Sequence, residues 1–213
     1  MKLLTVGDSF TYGEELTNKR SAWPHLLGEI LGYEVSNLGQ PGSGNTQMIR
    51  KVVENIGNYD LIIIAWSHYA RTEFADSNGV YNIWPGSNLS VHNPLPYRKE
   101  LVSYITKYHD DLYFYQQYLV DILLLQGYLA QNTQRYLMVN SFGNNWNDFK
   151  NNELIKKLAD QIDSKHFVGW PMHQMVEWTY GCAQGPGGHF LEDGHQRVAE
   201  KINEHIRHLG RVS

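Results

Sequence analysis

One cysteine in the whole chain, Cys182, excludes an intrachain disulfide and a paired-cysteine zinc motif. A lone thiol fits a reducing compartment, or a fold large enough to stand without a staple. No apolar run reaches the roughly 18 residues that a membrane-spanning helix needs. The opening stretch from Met1 to Gly7 is too short for a signal peptide, and Asp8 follows at once. The expected location is therefore cytoplasmic. Basic surplus is missing too: 18 Lys and Arg stand against 22 Asp and Glu, for a formal net charge of -4. That balance argues against a nucleic-acid partner. Neither an HExxH pair nor a GxxxxGK[ST] loop occurs, so two common metal and phosphate chemistries are excluded.

What is present is enough for a real core. The 213 residues are 42% hydrophobic and 13% aromatic, which suits one domain over residues 1–213. Leu3 to Val6 reads as a buried strand stopped by Gly7. Residues 33–38, 60–66, 136–140 and 167–170 read as further strands. The continuous apolar run from Leu61 to Trp66 has the character of a parallel strand covered on both faces. Helical spacing appears over 21–31, 46–56, 101–131, 151–162 and 194–209. Residues 75–100 lack any period and hold Gly, Pro, Asn, Ser and Trp; they read as a long surface excursion. Strands alternating with helices predict an α/β fold: a three-layer α/β/α sandwich with a mainly parallel central sheet.

Two short segments carry the chemistry. Gly7-Asp8-Ser9 follows the first strand, where open parallel sheets bind ligands beyond their carboxyl ends. A serine there presents its hydroxyl to a cleft beside the amides of the next turn, which can hold an oxyanion. The plain alternative is a helix-capping turn. Far along the chain, His189 follows the glycine-rich loop 181–188 and precedes Gly194-His195 at a helix start. A hydroxyl nucleophile needs a base near in space rather than in sequence, and His189 can supply it. His195 reads as a helix N-terminal residue instead.

With Gly7-Asp8-Ser9, Asn37-Leu38-Gly39-Gln40-Pro41-Gly42 and His189 through His195 in this order, the chain resembles the SGNH (GDSL-type) hydrolases. The resemblance implies Ser9 as nucleophile and His189 as base. It implies an oxyanion hole from the Ser9 and Gly42 amides, and no metal or organic cofactor. Two positions depart from the family pattern. Its third block carries an Asn, but here the strand ends Trp66-Ser67-His68-Tyr69. Ser67 or Asn45 is the replacement donor; an unreplaced donor costs about 2.7–4 kcal/mol of barrier. Three residues before His189 stands Pro186 where the family has Asp. Glu192, Asp193 or a backbone carbonyl is left to orient the imidazole.

Arg71 and Trp84 are candidate substrate contacts, with Tyr81, His92 and Tyr97 in the same excursion. Pairing of Arg71 with Glu73 is the plainer reading of that arginine. The Tyr-rich run from Tyr104 to Tyr118 reads as a packed helix face. Asn88-Leu89-Ser90 fits a glycosylation acceptor, discounted without a secretion signal. The resulting expectation is a serine ester hydrolase acting on an acyl ester or a carbohydrate O-acetyl ester. Its partner is then a small-molecule or carbohydrate ester, with no nucleic acid and no membrane. The competing readings are a degenerate domain that binds a glycan without turnover, and a structural domain of a larger assembly such as a virion or cell surface.

Overall fold

The structure is a computed structural model that describes residues 1–77, 79–85, 98–132 and 134–212. In chain order its elements are β1 (Lys2–Val6), α1 (Ser9–Tyr12), α2 (Trp23–Leu31), β2 (Glu34–Asn37), α3 (Asn45–Asn55), β3 (Leu61–Trp66), β4 (Thr72–Asp76) and β5 (Gly79–Ile83). There follow α4 (Arg98–Tyr108), α5 (Asp111–Gln131), β6 (Tyr136–Asn140), α6 (Trp146–Phe149), α7 (Glu153–Ala159), β7 (Phe167–Val168), α8 (Met175–Trp178) and α9 (Glu192–Val212). Five strands form one sheet in the order β2-β1-β3-β6-β7, and every pairing in it is parallel. Leu4 lies beside Ile62, and Ile64 beside Met138.

Parallel strands need crossovers, and the crossovers place helices on both faces. Alternate residues of β3 accordingly enter two cores. Ile62, Ile64 and Trp66 pack with Met48 and Val52 of α3, with α5, and with Ile155 of α7. Leu61, Ile63 and Ala65 pack with Trp23 and Leu27 of α2 and with Val198, Ala199 and Ile202 of α9. Each large side chain fully buried this way contributes roughly 1.5–3 kcal/mol. The result is the three-layer α/β/α sandwich that the strand and helix patterns predict. Among the described residues no helix is long and apolar enough to cross a membrane.

Two expectations need correction. The stretch 101–131 is two helices, because the Asp110 carboxylate accepts from Tyr113 N–H at 2.8 Å and starts a new helix inside a continuous apolar period. Only Tyr115 and Tyr118 of the tyrosine run are buried; Tyr104, Tyr108 and Tyr113 are exposed. The start of the excursion is not a plain loop. Thr72–Asp76 and Gly79–Ile83 pair antiparallel as β4 and β5, pinned where Arg50 of α3 makes a two-pronged ion pair with Glu73 at 2.6 and 2.7 Å. His92, Tyr97 and Asn88-Leu89-Ser90 lie outside the described residues.

Helices α2 and α9 are joined by a buried polar contact. His195, 1% exposed, accepts the Trp23 N–H on Nδ1 at 3.2 Å. Burial, with His189 and Lys19 nearby, pushes its pKa down from 6.5 to about 3. An unfolded chain takes up this proton near 6.5, whereas the folded chain resists it until about 3. Stability from this site is therefore complete above pH 6.5 and drains as pH falls. In urea titrations between pH 6 and 4, the wild-type unfolding free energy should fall by about 1 kcal/mol per pH unit on account of His195. His195→Asn, which keeps an acceptor without the titration, should flatten that slope.

Candidate functional site

The carboxyl end of β1 turns through Gly7-Asp8 into α1, and Ser9 is the first residue of that short helix. Asp8 forms the turn: Oδ1 accepts from Phe10 N–H at 3.0 Å, and its carbonyl accepts from Thr11 and Tyr12 N–H at 3.1 and 2.9 Å. Ser9 is 5% exposed, and neither its N–H nor its hydroxyl has a hydrogen-bond partner among the described residues. The chain after β2 crosses directly over this turn. Asn37 Nδ2 donates to Thr11 O at 2.8 Å, and Gln40 N–H donates to Gly7 O at 3.0 Å. Only glycine fits at 39, where a Cβ would come within 2.5 Å of Tyr12 N. Further along the same loop, the Gly42 N–H also lacks a partner among the described residues. The chain end of β1 thus lies under the loop after β2, with one N–H lacking a partner among the described residues on each segment, Ser9 on the turn and Gly42 on the loop.

Behind Ser9 sits a buried charge. Asp8 is fully buried; burial pushes its carboxyl up, and the Arg71 guanidinium, the Phe10 amide and the hydroxyls of Ser67 and Ser141 pull it back. Arg71 Nη1 is 3.9 Å from Asp8 Oδ2 and donates to Ser43 O at 3.1 Å. Its Cζ lies 4.9 Å from the ring centres of both Trp84 and Phe142, a cation–π contact with each. Arg71 therefore does not pair with Glu73, as the plainer reading of the sequence had it; Glu73 is taken by Arg50.

Asn45 and Ser67, the two candidate side-chain donors, come together on each other. Asn45 Oδ1 accepts from Ser67 N–H at 2.9 Å, and Asn45 Nδ2 donates to Ser67 O at 3.3 Å. Ser67 Oγ is buried on the Asp8 side. Next door, His68 Nδ1 accepts from Ala70 N–H at 3.1 Å. Burial holds that imidazole neutral, with a pKa of about 4.

His189 is held from an unexpected direction. Its Nδ1 is 2.9 Å from Glu15 Oε2, and the same oxygen accepts the His189 N–H at 3.0 Å. The other oxygen accepts the Gly187 N–H at 2.7 Å. These donors, the Gly187 amide foremost, hold the Glu15 carboxyl below the usual glutamate range. Glycine at 185 is needed for this approach, since a Cβ there would stand 2.5 Å from the Glu15 carboxyl carbon. Glu15 itself has φ 67, a left-handed conformation uncommon for a non-glycine residue. Lys19 Nζ ties its turn by donating to Gly13 O and Leu16 O at 2.8 and 3.1 Å.

A carboxylate can only accept, so Nδ1 of His189 carries the proton and Nε2 is left as a base. The imidazole packs 4.9 Å from the ring of Phe10, the residue after Ser9. Asp193, expected as one possible orienter, is used elsewhere: it accepts from Ala183 and Gly194 N–H at 3.1 and 2.9 Å. Glu15 was missed because no spacing rule links positions 15 and 189. Among the described residues no group of three or more His, Cys, Asp or Glu is arranged to hold a metal ion.

A family model described as a family of unknown function, DUF6071, matches residues 9–213. No curated protein matches the chain. Solved structures share its fold at low identity. One is assigned to the G-D-S-L lipolytic family, from Desulfitobacterium hafniense DCB-2: TM-score 0.56, 13% identity, 96% of this chain and 98% of that one. A psychrotrophic esterase, EstA from Pseudoalteromonas sp., inhibited by monoethylphosphonate, gives 0.58 and 9%, over 99% and 98% of the two chains. A carbohydrate esterase family 2 enzyme with a carbohydrate-binding domain, from Corynascus thermopiles, gives 0.56 and 14%; it is covered over 66% of its length and this chain over 98%.

The Glu15 contacts contribute only while the carboxylate is ionised. They are complete above the ordinary glutamate pKa of 4.5 and are lost as pH falls through the lower folded value. In hydrogen exchange, the amides of Gly187 and His189 should keep their protection factors below pH 4.5 and lose them only in stronger acid. Glu15→Ala should remove that protection at neutral pH while leaving β3 and β6 amides unchanged.

Proposed function

The chain belongs to DUF6071, a family of unknown function, and we propose that it is a serine ester hydrolase with Ser9 as nucleophile, His189 as base and Glu15 as the acid that orients the base. The observation that carries this reading is the 2.9 Å contact between Glu15 Oε2 and His189 Nδ1. It supplies the third member that the sequence around His189 lacks. In this reading the Asp that the SGNH pattern places three residues before its His has been exchanged for a Glu on a different loop, with the same geometric task.

The steps follow from the tautomer. His189 Nε2 takes the proton from Ser9 Oγ as that oxygen attacks the ester carbonyl carbon. The carbonyl π bond opens onto its oxygen, and the Ser9 and Gly42 N–H groups receive the negative charge. Asn45 Nδ2, which keeps a second hydrogen after serving Ser67 O, supplies the side-chain donor. Collapse of the intermediate expels the alcohol, which takes the proton back from His189. Water, deprotonated by the same imidazole, then adds to the acyl carbonyl; the bond to Ser9 Oγ breaks, that oxygen takes the proton back from His189, and the acid leaves. Through both halves Glu15 steadies the imidazolium.

The fold neighbours support an ester as substrate class, and EstA, inhibited by a phosphonate, points to the probe. Trp84 stands on the hairpin side of the site against Arg71, and of the two it is the indole that we assign to a flat sugar or acyl group.

Hydrolysis of p-nitrophenyl acetate and of an acetylated sugar by wild type and variants tests the proposal. Ser9→Ala and His189→Ala should bring turnover to background. Glu15→Gln should lower kcat by about 10²- to 10⁴-fold with little change in KM. An ethyl phosphonate should label wild type at Ser9 and leave Ser9→Ala unmodified. Equal rates for wild type and Ser9→Ala on both esters, with no label, would sink the hydrolase reading in favour of a binding domain.

A further inference from the structure

Arg71 touches the loops on the Ser9 side of the site. Its Nη1 faces Asp8 on the turn after β1 and donates to Ser43 O on the loop after β2. Its guanidinium carbon lies 4.9 Å from the ring centres of Trp84 at the exit of the hairpin and Phe142 after β6. Its own backbone belongs to the loop after β3, where Arg71 N–H donates to His68 O at 3.1 Å. Packed on two rings, the mostly buried guanidinium turns Nη1 to Asp8 and Ser43.

We propose that Arg71 is a positioning residue: its ion pair with Asp8 and its bond to Ser43 hold the Ser9 and Gly42 N–H groups on one point. Asp8 is the N-cap that shapes the Ser9 turn, and Ser43 is the residue after Gly42. One cation therefore sets the spacing of both oxyanion donors. The inference rests on the hydrolase reading above and assigns a residue that reading does not need for proton transfer.

The charge balance makes Arg71 necessary at this place. A fully buried carboxylate is costly unless a partner stands beside it. Around Asp8 that partner is Arg71, helped by the hydroxyls of Ser67 and Ser141 and the Phe10 amide. Around Arg71 the charged and titratable groups are Asp8, Glu14 on the turn after α1, and the neutral His68. Burial is already the largest influence on Asp8 and holds its carboxyl above the usual aspartate range; without the guanidinium the balance moves further toward the protonated form. The turn then loses its charge-assisted cap. Lysine is a poor substitute, because a point charge cannot pack on two rings while reaching a carboxylate and a carbonyl together.

The test is a double-mutant cycle of Asp8→Asn and Arg71→Met, with Arg71→Lys as the charge-retaining variant in case Arg71→Met does not fold. Three quantities are read: kcat and KM on p-nitrophenyl acetate, the rate of phosphonate labelling at Ser9, and the titration of a carbon-13-labelled Asp8 carboxyl. Arg71→Met should cost about 10²-fold in kcat and in labelling rate with KM nearly unchanged, the scale of a misplaced donor. The acid limb of its pH profile, and the Asp8 titration, should move to higher pH. Adding Arg71→Met to Asp8→Asn should cost little more than Asp8→Asn alone. A rise in KM at constant kcat would overturn the proposal and make Arg71 a substrate contact. Strictly additive losses, or an Asp8 titration unmoved in Arg71→Met, would also overturn it. If wild type neither turns over nor labels, the hydrolase reading fails; the Asp8 titration still decides whether Arg71 controls this turn.

Discussion

One carboxylate, that of Glu15, receives three N–H groups from the loop that carries His189. The rest of the site depends on it. Loop 181–188 is rich in glycine and has little apolar surface of its own to bury, so packing alone cannot set where His189 lies. The carboxylate supplies charge-assisted bonds instead, and it supplies them to the main chain and the imidazole at once. Loop placement and tautomer are thereby one event rather than two. The left-handed backbone of Glu15 is the local cost, and Lys19 offsets it by tying the same turn on two carbonyls.

A second constraint lies on the far side of Ser9. The pair of Asp8 and Arg71 is taken out of water at the end of β1, where a hydrophobic residue would pack more cheaply. A buried ion pair is weak evidence for stability, so its presence here argues for geometry. It connects the turn of Ser9 to the loop of Gly42 through a planar group that two aromatic rings hold in place. The parallel sheet explains why so many loops meet there. All five strands run the same way, so their carboxyl ends, and the loops after β1, β2, β3 and β6, gather at one edge.

Much of this architecture is legible in the residues themselves. Leu61 to Trp66 reads as a central strand because six consecutive buried positions leave no polar face. Gly7-Asp8-Ser9 and Gly39 read as tight turns because their neighbours require it. Other features are not legible. The break between α4 and α5 hides inside a continuous apolar period, and only the capping geometry of Asp110 reveals it. The hairpin β4–β5 is short and mixed in polarity, so its period cannot rise above a loop's. Its pairing is stabilised by contacts outside itself, such as Arg50 on Glu73 and Asn82 on Gly44 N–H at 3.0 Å.

The sequence by itself determined the layers, the parallel sheet and the two segments that hold Ser9 and His189, because period and turn chemistry act over a few residues. Only the tertiary structure decided which acid meets His189. Glu15 and His189 stand 174 positions apart, on loops from opposite ends of the chain. It likewise decided that Arg71 serves Asp8 and leaves Glu73 to Arg50. The reason is the same in each case. Charge pairing is a choice among partners at similar range, and range between distant residues exists only once the sheet has brought their loops to one edge.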